Sequence, residues 1–131
     1  MTDLRRVLCV DDEPDIRAVA ELALGAVGGF EVTVCASGED ALAVAPDKAP
    51  QLILLDVLMP GMDGPETLSS LRRIPSLAAV PVVFMTARAE PSEMEAHRAL
   101  GAVATIAKPF DPMTLAETVR SIWRDGSAGA P

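Results

Sequence analysis

Five short apolar runs constrain this chain more than anything else in it: VLCV at 7–10, VTVC at 32–35, LILL at 52–55, VVFM at 82–85 and VATIA at 103–107. None shows the strict polar alternation of a strand with one wet face. Strands apolar on both faces need cover on both, which suits a parallel sheet between two helical layers.

Segments of helical period lie between the runs. After Pro14, the residues Ile16, Val19, Ala20, Ala23 and Val27 recur at spacings of three and four until Gly28 and Gly29 supply a stop. Ser37-Gly38-Glu39-Asp40 resembles a capping box ahead of Ala41, Leu42 and Ala45, and predicts a short second helix of two turns before Pro46. Pro65 suits a first helical position and is followed by Leu68, Leu71 and Ile74 until Pro75 ends the pattern. A fourth helix opens at Pro91-Ser92-Glu93 and closes at Gly101. The last begins near Asp111-Pro112 and aligns Leu115, Val119 and Ile122, with Trp123 alongside.

Strand and helix thus alternate five times, and with right-handed crossovers they make an α/β, three-layer (βα)5 doubly wound parallel sheet. The expectation is flavodoxin-like, with strand order 2-1-3-4-5. Ligands of such sheets bind outside the carboxyl ends of the strands, where the order reverses. A length of 131 residues fits one domain, expected over residues 1–124. The remainder, DGSAGAP at 125–131, reads as a flexible tail, with no output domain.

No apolar run approaches the roughly 18 residues of a membrane span, and MTDLRR leads into too short a run for a signal peptide. A cytoplasmic location, with no membrane partner, is therefore expected. A net charge of −8 works against direct nucleic-acid binding, which relies on Lys and Arg to neutralise phosphates, and favours protein partners. Cys9 and Cys35 sit in apolar runs, and packing as free thiols is expected of both.

Side by side, the strands bring Asp11, Asp12, Asp56, Thr86 and Lys108 to one edge. Three carboxylates meeting there raise each other's pKa unless a cation joins them, and Lys108 supplies one charge only. A hard divalent ion with oxygen ligands, typically Mg²⁺, is the natural addition.

The stretches VDDEP at 10–14, DVLMPGMDG at 56–64, MTA at 85–87 and KPF at 108–110 resemble the receiver domain of two-component response regulators, in its single-domain, chemotaxis-regulator form. The resemblance covers residues 5–124, and four motifs in order at the right strand ends make it specific. It implies that Asp56 is the phosphoacceptor, that Asp12 and Asp56 bind Mg²⁺ directly, that Asp11 acts through a metal-bound water, and that the Leu58 carbonyl adds an oxygen. It further implies that Lys108 pairs with Asp56, that the Thr86 hydroxyl moves toward the phosphoryl group, and that Pro109 follows a cis peptide. The implied partners are a sensor histidine kinase or histidine phosphotransfer protein and a downstream protein target, with helix one and the loop after strand five as the kinase contact. A phosphorylation-dependent dimer is open, with Trp123 as its anchor if exposed. The chain is then no enzyme beyond its own Mg²⁺-dependent phosphorylation and dephosphorylation.

One departure stands out. Three positions before Lys108 the family usually carries Tyr or Phe as a moving switch, and this chain has Thr105. Leu58 and Arg88, each two residues beyond a site residue, occupy positions that tune the lifetime of the acyl phosphate in the family. An apolar Leu58 cannot hold the hydrolytic water, so moderate to slow dephosphorylation is expected.

Plainer roles suit other residues. Asp63 before Gly64 reads as a turn former or helix cap, Glu13 as a solvated helix-start charge, His97 as a surface residue, and Met59, Met62 and Met113 as gap fillers. Competing functions are an aspartyl-phosphate phosphohydrolase, a nucleotide or flavin binder and a phosphorylation-independent docking domain. The first lacks the second acid, having Leu58 in its place, and the second lacks a Gly-rich phosphate loop after the first strand.

Overall fold

The structure, a computed structural model, describes residues 3–129, with side chains through residue 125. Each apolar run forms a strand: β1 (Arg6–Val10), β2 (Glu31–Cys35), β3 (Leu52–Asp56), β4 (Val82–Thr86) and β5 (Ala104–Ala107). All pair in parallel, in the order β2-β1-β3-β4-β5, as expected.

The missing alternation has a direct cause. Val7, Cys9, Leu52, Leu54, Val83 and Met85 face one apolar cluster, with Leu24, Leu115 and Val119 from the helices covering that side. Their strand neighbours Leu8, Val10, Ile53, Leu55, Val82 and Phe84 face a second cluster, closed by Ala41, Leu68 and Leu71. Successive side chains of a strand point to opposite faces, so two buried faces demand an unbroken apolar run. Cys9 and Cys35 belong to different clusters, on opposite faces of the sheet, and both are free thiols. Burial pushes the Cys9 thiol up to about 12 and Cys35 to about 11, keeping both neutral.

The helices are α1 (Pro14–Glu21), α2 (Gly38–Lys48), α3 (Gly64–Arg72), α4 (Pro91–Ala99) and α5 (Leu115–Gly129). Three differ from expectation. The first continues as a π-helical segment, Leu22–Val27, in which the Gly28 N–H bonds the Ala23 carbonyl at 3.0 Å. The wider turn rotates the stripe, so that Leu24 is fully buried whereas Val27, expected inside, is 50% exposed. Arg120 of α5 fastens this segment by donating to the Gly28 carbonyl and lying 4.7 Å over the Phe30 ring.

The second helix accommodates Pro46 and ends a little later, at Lys48, with Ala49 in the left-handed region at φ 48°. Its cap is as read, the Ser37 hydroxyl accepting from the Asp40 N–H at 3.1 Å. The fifth helix starts at Leu115, after a tight turn in which Asp111 accepts from Met113 N–H at 2.8 Å, and its backbone runs to Gly129. The segment expected as a tail therefore opens as helix, while Ala130 and Pro131 lie outside the described residues. Among the described residues, no helix is long and apolar enough to cross a membrane.

Candidate functional site

Parallel strands end at one edge, and here that edge carries acid. Asp11 follows β1, Asp56 closes β3, Thr86 closes β4 and Lys108 follows β5. Carboxylate oxygens of Asp11, Asp12 and Asp56 lie within 4.8 Å of one another. The Lys108 ammonium stands among them, with Nζ 2.9 Å from Asp11 Oδ2, 3.4 Å from Asp56 Oδ2 and 3.9 Å from Glu13 Oε1. Lys108 was expected to pair with Asp56, yet its shorter contact is with Asp11, whose carboxylate is fully buried and needs the countercharge more.

Burial is the main force raising the Asp56 carboxyl, to about 6; the Asp11 charge adds to it, and Lys108 and a Leu58 N–H hydrogen bond pull the other way. For Lys108, burial opposes the charge, but the hydrogen bond to Asp11 and the Asp56 charge outweigh it, so its pKa lies above the ordinary value. The group is thus a lysine ammonium among more negative charge than it can balance. Asp56 is buried at the sheet edge, 4% exposed.

Backbone contacts set this geometry. Asp11 Oδ1 accepts from the Glu13 N–H at 2.9 Å, which turns the chain into α1, and Arg17 Nη1 donates to the Asp11 carbonyl at 2.9 Å. Sequence reasoning missed Arg17; the signal was a long cation on the first turn of α1, able to reach back to the acidic loop. Asp63 does cap α3, its Oδ1 accepting from Glu66 N–H at 2.9 Å while Glu66 reaches back to the Asp63 N–H. Gly64 then passes so near the β3 end that a Cβ there would sit 2.6 Å from the Asp56 carbonyl oxygen and 2.8 Å from Val57 Cα. Gly61, at φ +75°, turns the intervening loop over the edge.

Other expected residues fall as follows. Thr86 is buried, and its Oγ1 accepts from the Arg88 N–H at 3.0 Å, while the Arg88 side chain is exposed. Leu58 is 71% exposed beside the site. The Lys108-Pro109 peptide is cis. Glu13 is mostly solvated, as read, but near enough to Lys108 to pair loosely. Met59 fills the core, whereas Met113 is exposed and fills nothing. Trp123 packs partly buried against the α1 and α5 cluster, which removes it as an exposed anchor.

His97 overturns its reading as a surface residue. It is buried, its Nδ1 lies 3.1 Å from Thr105 Oγ1, and its ring meets Phe84 edge-on at 5.0 Å and 77°. Its polarity is satisfied by Thr105, a partner that a helical period cannot foretell.

The sequence profile of the response regulator receiver domain matches residues 7–120. The transcriptional regulatory protein CseB of Streptomyces coelicolor is 37% identical over 130 residues, which cover 98% of this chain and 54% of that one. The probable transcriptional regulator ycf27 of Cyanophora paradoxa is 35% identical over 120 residues, covering 92% of this chain and 48% of its own. The chain spans about half the length of the curated relatives it matches. Among solved structures, the chemotaxis protein CheY4 of Vibrio cholerae is similar, with a TM-score of 0.84 and 33% identity over 91% of this chain and 98% of that one.

Proposed function

The chain belongs to the response regulator receiver domain family, the phosphorylation-controlled unit of two-component signalling, and from that premise we propose that Asp56 accepts the phosphoryl group. The observation that carries this reading is the convergence of three carboxylates and Lys108 on one strand edge, with Asp56 the acid that closes the central strand. The donor is a histidine kinase or phosphotransfer protein, and residues 1–124 form the signalling unit.

The oxygen donors of Asp11, Asp12 and Asp56 suit Mg²⁺, a hard ion that takes few carboxylates and keeps waters, and the Leu58 carbonyl is the proposed main-chain ligand. Bound there, the ion offsets the negative charge of nucleophile and phosphoryl group together. The protein's own part is positional. The Leu58 N–H and Lys108 orient the Asp56 carboxylate, and a pKa of about 6 leaves it mostly ionised at neutral pH. In-line attack by a carboxylate oxygen forms the acyl phosphate as the bond to the donor breaks. Phosphoryl transfer has a loose transition state with charge on peripheral oxygens, so Lys108 and the Thr86 hydroxyl, once turned from the Arg88 N–H, serve by electrostatic stabilisation.

No second carboxylic acid stands two residues after Asp56, where Leu58 lies, which disfavours a turnover hydrolase. Leu58 and Arg88 are the proposed tuners of the phosphorylated lifetime, and Thr86 and Thr105 the switch positions. Incubation with acetyl phosphate and Mg²⁺, followed by intact mass spectrometry, should give one phosphoryl adduct in the wild type and none in Asp56→Asn. An adduct that persists in the variant, or its absence from both, removes Asp56 as the acceptor.

A further inference from the structure

The helix α4 is held to the sheet in an unusual way: of its nine residues, His97 alone is buried. No apolar side chain of α4 is fully inside, and its N-cap, Glu90, makes no side-chain cap. A helix normally docks by an apolar stripe, so attachment through one polar ring leaves this one dependent on what that ring touches. Nδ1 of His97 is 3.1 Å from Thr105 Oγ1 of β5, and the ring edge meets Phe84 of β4. Phe84 and Thr105 are themselves paired across the two strands. The His97 carbonyl also accepts from Leu100 and Ala102 N–H, both at 3.1 Å, so the turn leaving α4 hangs on the same residue.

The Phe84 contact lies on β4, the strand that ends at Thr86, and the Thr105 contact on its neighbour β5, which leads to Lys108. Phe84 and Thr86 share a face of β4, two residues apart, and the Thr86 carbonyl accepts from Lys108 N–H at 2.8 Å. A shift of Thr86 toward a phosphoryl group would thus pull on the two strands against which His97 rests. Thr105 is too short to swing as an aromatic switch does, but its hydrogen bond has two discrete states, made and broken.

We propose that the His97–Thr105 hydrogen bond is the latch that holds α4 on the sheet, and that its release reports phosphorylation of Asp56 at the α4 surface. The second half of this rests on the function proposed above; the first half does not.

Amide hydrogen exchange by mass spectrometry on the full chain tests both halves, using wild type, Thr105→Val, His97→Leu and His97→Asn, each with and without beryllofluoride and Mg²⁺. In untreated protein, Thr105→Val and His97→Leu raise exchange across residues 93–100 by about tenfold or more while the β1 and β3 peptides stay protected. His97→Asn, which keeps a hydrogen-bonding amide near the place of Nδ1, restores most of that protection. Unchanged exchange at 93–100 in Thr105→Val, or the same loosening in His97→Asn as in His97→Leu, overturns the latch. Beryllofluoride should loosen the same peptide in wild type and add nothing in Thr105→Val; an equal response in both overturns the coupling. Acyl phosphate formation is followed separately in wild type, so its failure counts against the proposed function, while the untreated comparison still decides the latch.

Discussion

Asp56 shows how one residue carries a cost that the fold could easily have avoided. A carboxyl raised to about 6 by burial and by Asp11 holds a proton in the folded chain at pH values where the unfolded chain, near 3.9, has released it. Between those values the folded state binds more protons, so this group's contribution to stability falls as pH rises from about 4 to 6 and its full penalty applies above 6. Asp56→Asn removes the charge, and the metal-free variant is expected to be more stable than wild type by roughly 1–3 kcal/mol at pH 7.5. Urea titrations across pH measure it: the gap should close toward pH 4, and a variant less stable than wild type at pH 7.5 would show that Asp56 is not a strained charge. Single residues of this kind were legible in the sequence when a motif fixed their strand end, as for Asp56 and Lys108. His97 was not, because its burial depends on a hydroxyl across the sheet that no local pattern encodes.

The elements repeat that division. Strands were read from apolar runs, and the two core clusters account for the runs of β1, β3 and β4 through period-two alternation, while the edge strands β2 and β5 are covered only in part. The starts of α2 and α3 were equally legible, since Ser37 and Asp63 cap as their side chains allow, but α5 begins at Leu115 and not near Asp111. What escaped was the π-helical turn in Leu22–Val27, because a stripe of small residues fits turns of 3.6 or wider about equally well, and α5's contact through Arg120 with Gly28 is a tertiary one. The loop from β3 to α3 gives the sharpest prediction at this scale. A Cβ on Gly64 would press on the main chain at Asp56 and Val57, atoms that cannot swing aside as a side-chain tip can. Gly64→Ala should destabilise by about 2–4 kcal/mol and slow acetyl-phosphate labelling of Asp56 at temperatures where it stays folded. Gly61→Ala, strained at φ +75° but with space around it, should lose only about 1 kcal/mol. Thermal denaturation of the pair distinguishes crowding from backbone strain, and equal losses would mean that the Gly64 contact relaxes freely.

For the whole molecule, alternating strand and helix made the three-layer architecture legible, but the order of strands was not in the apolar pattern. That order depends on the direction each crossover takes along the sheet, so 2-1-3-4-5 was a choice among doubly wound orders, and the structure has it. It is the order that sets Asp11 and Asp56 on adjacent strand ends, with Lys108 beyond β4 reaching back to both, and so gathers three carboxylates of an acidic chain, of net charge −8, at one edge. An acidic chain gains some stability from any salt that screens self-repulsion, and the specific effect of Mg²⁺ must be separated from that general one. An ion that binds only the folded state at tenfold its dissociation constant adds about 1.4 kcal/mol, which for a domain of this size raises Tm by about 4–7 °C. Because binding needs Asp56 deprotonated, affinity should fall about tenfold per pH unit below 6, cutting the Tm gain at pH 5 to about 1–2 °C at the same Mg²⁺ concentration. Asp12→Ala should abolish the pH 7.5 gain, leaving only what NaCl of equal ionic strength produces. Scanning calorimetry of both proteins at the two pH values reads this directly; a Tm gain that ignores pH, or survives in Asp12→Ala, would place the ion in the diffuse atmosphere of an acidic surface and not between these carboxylates.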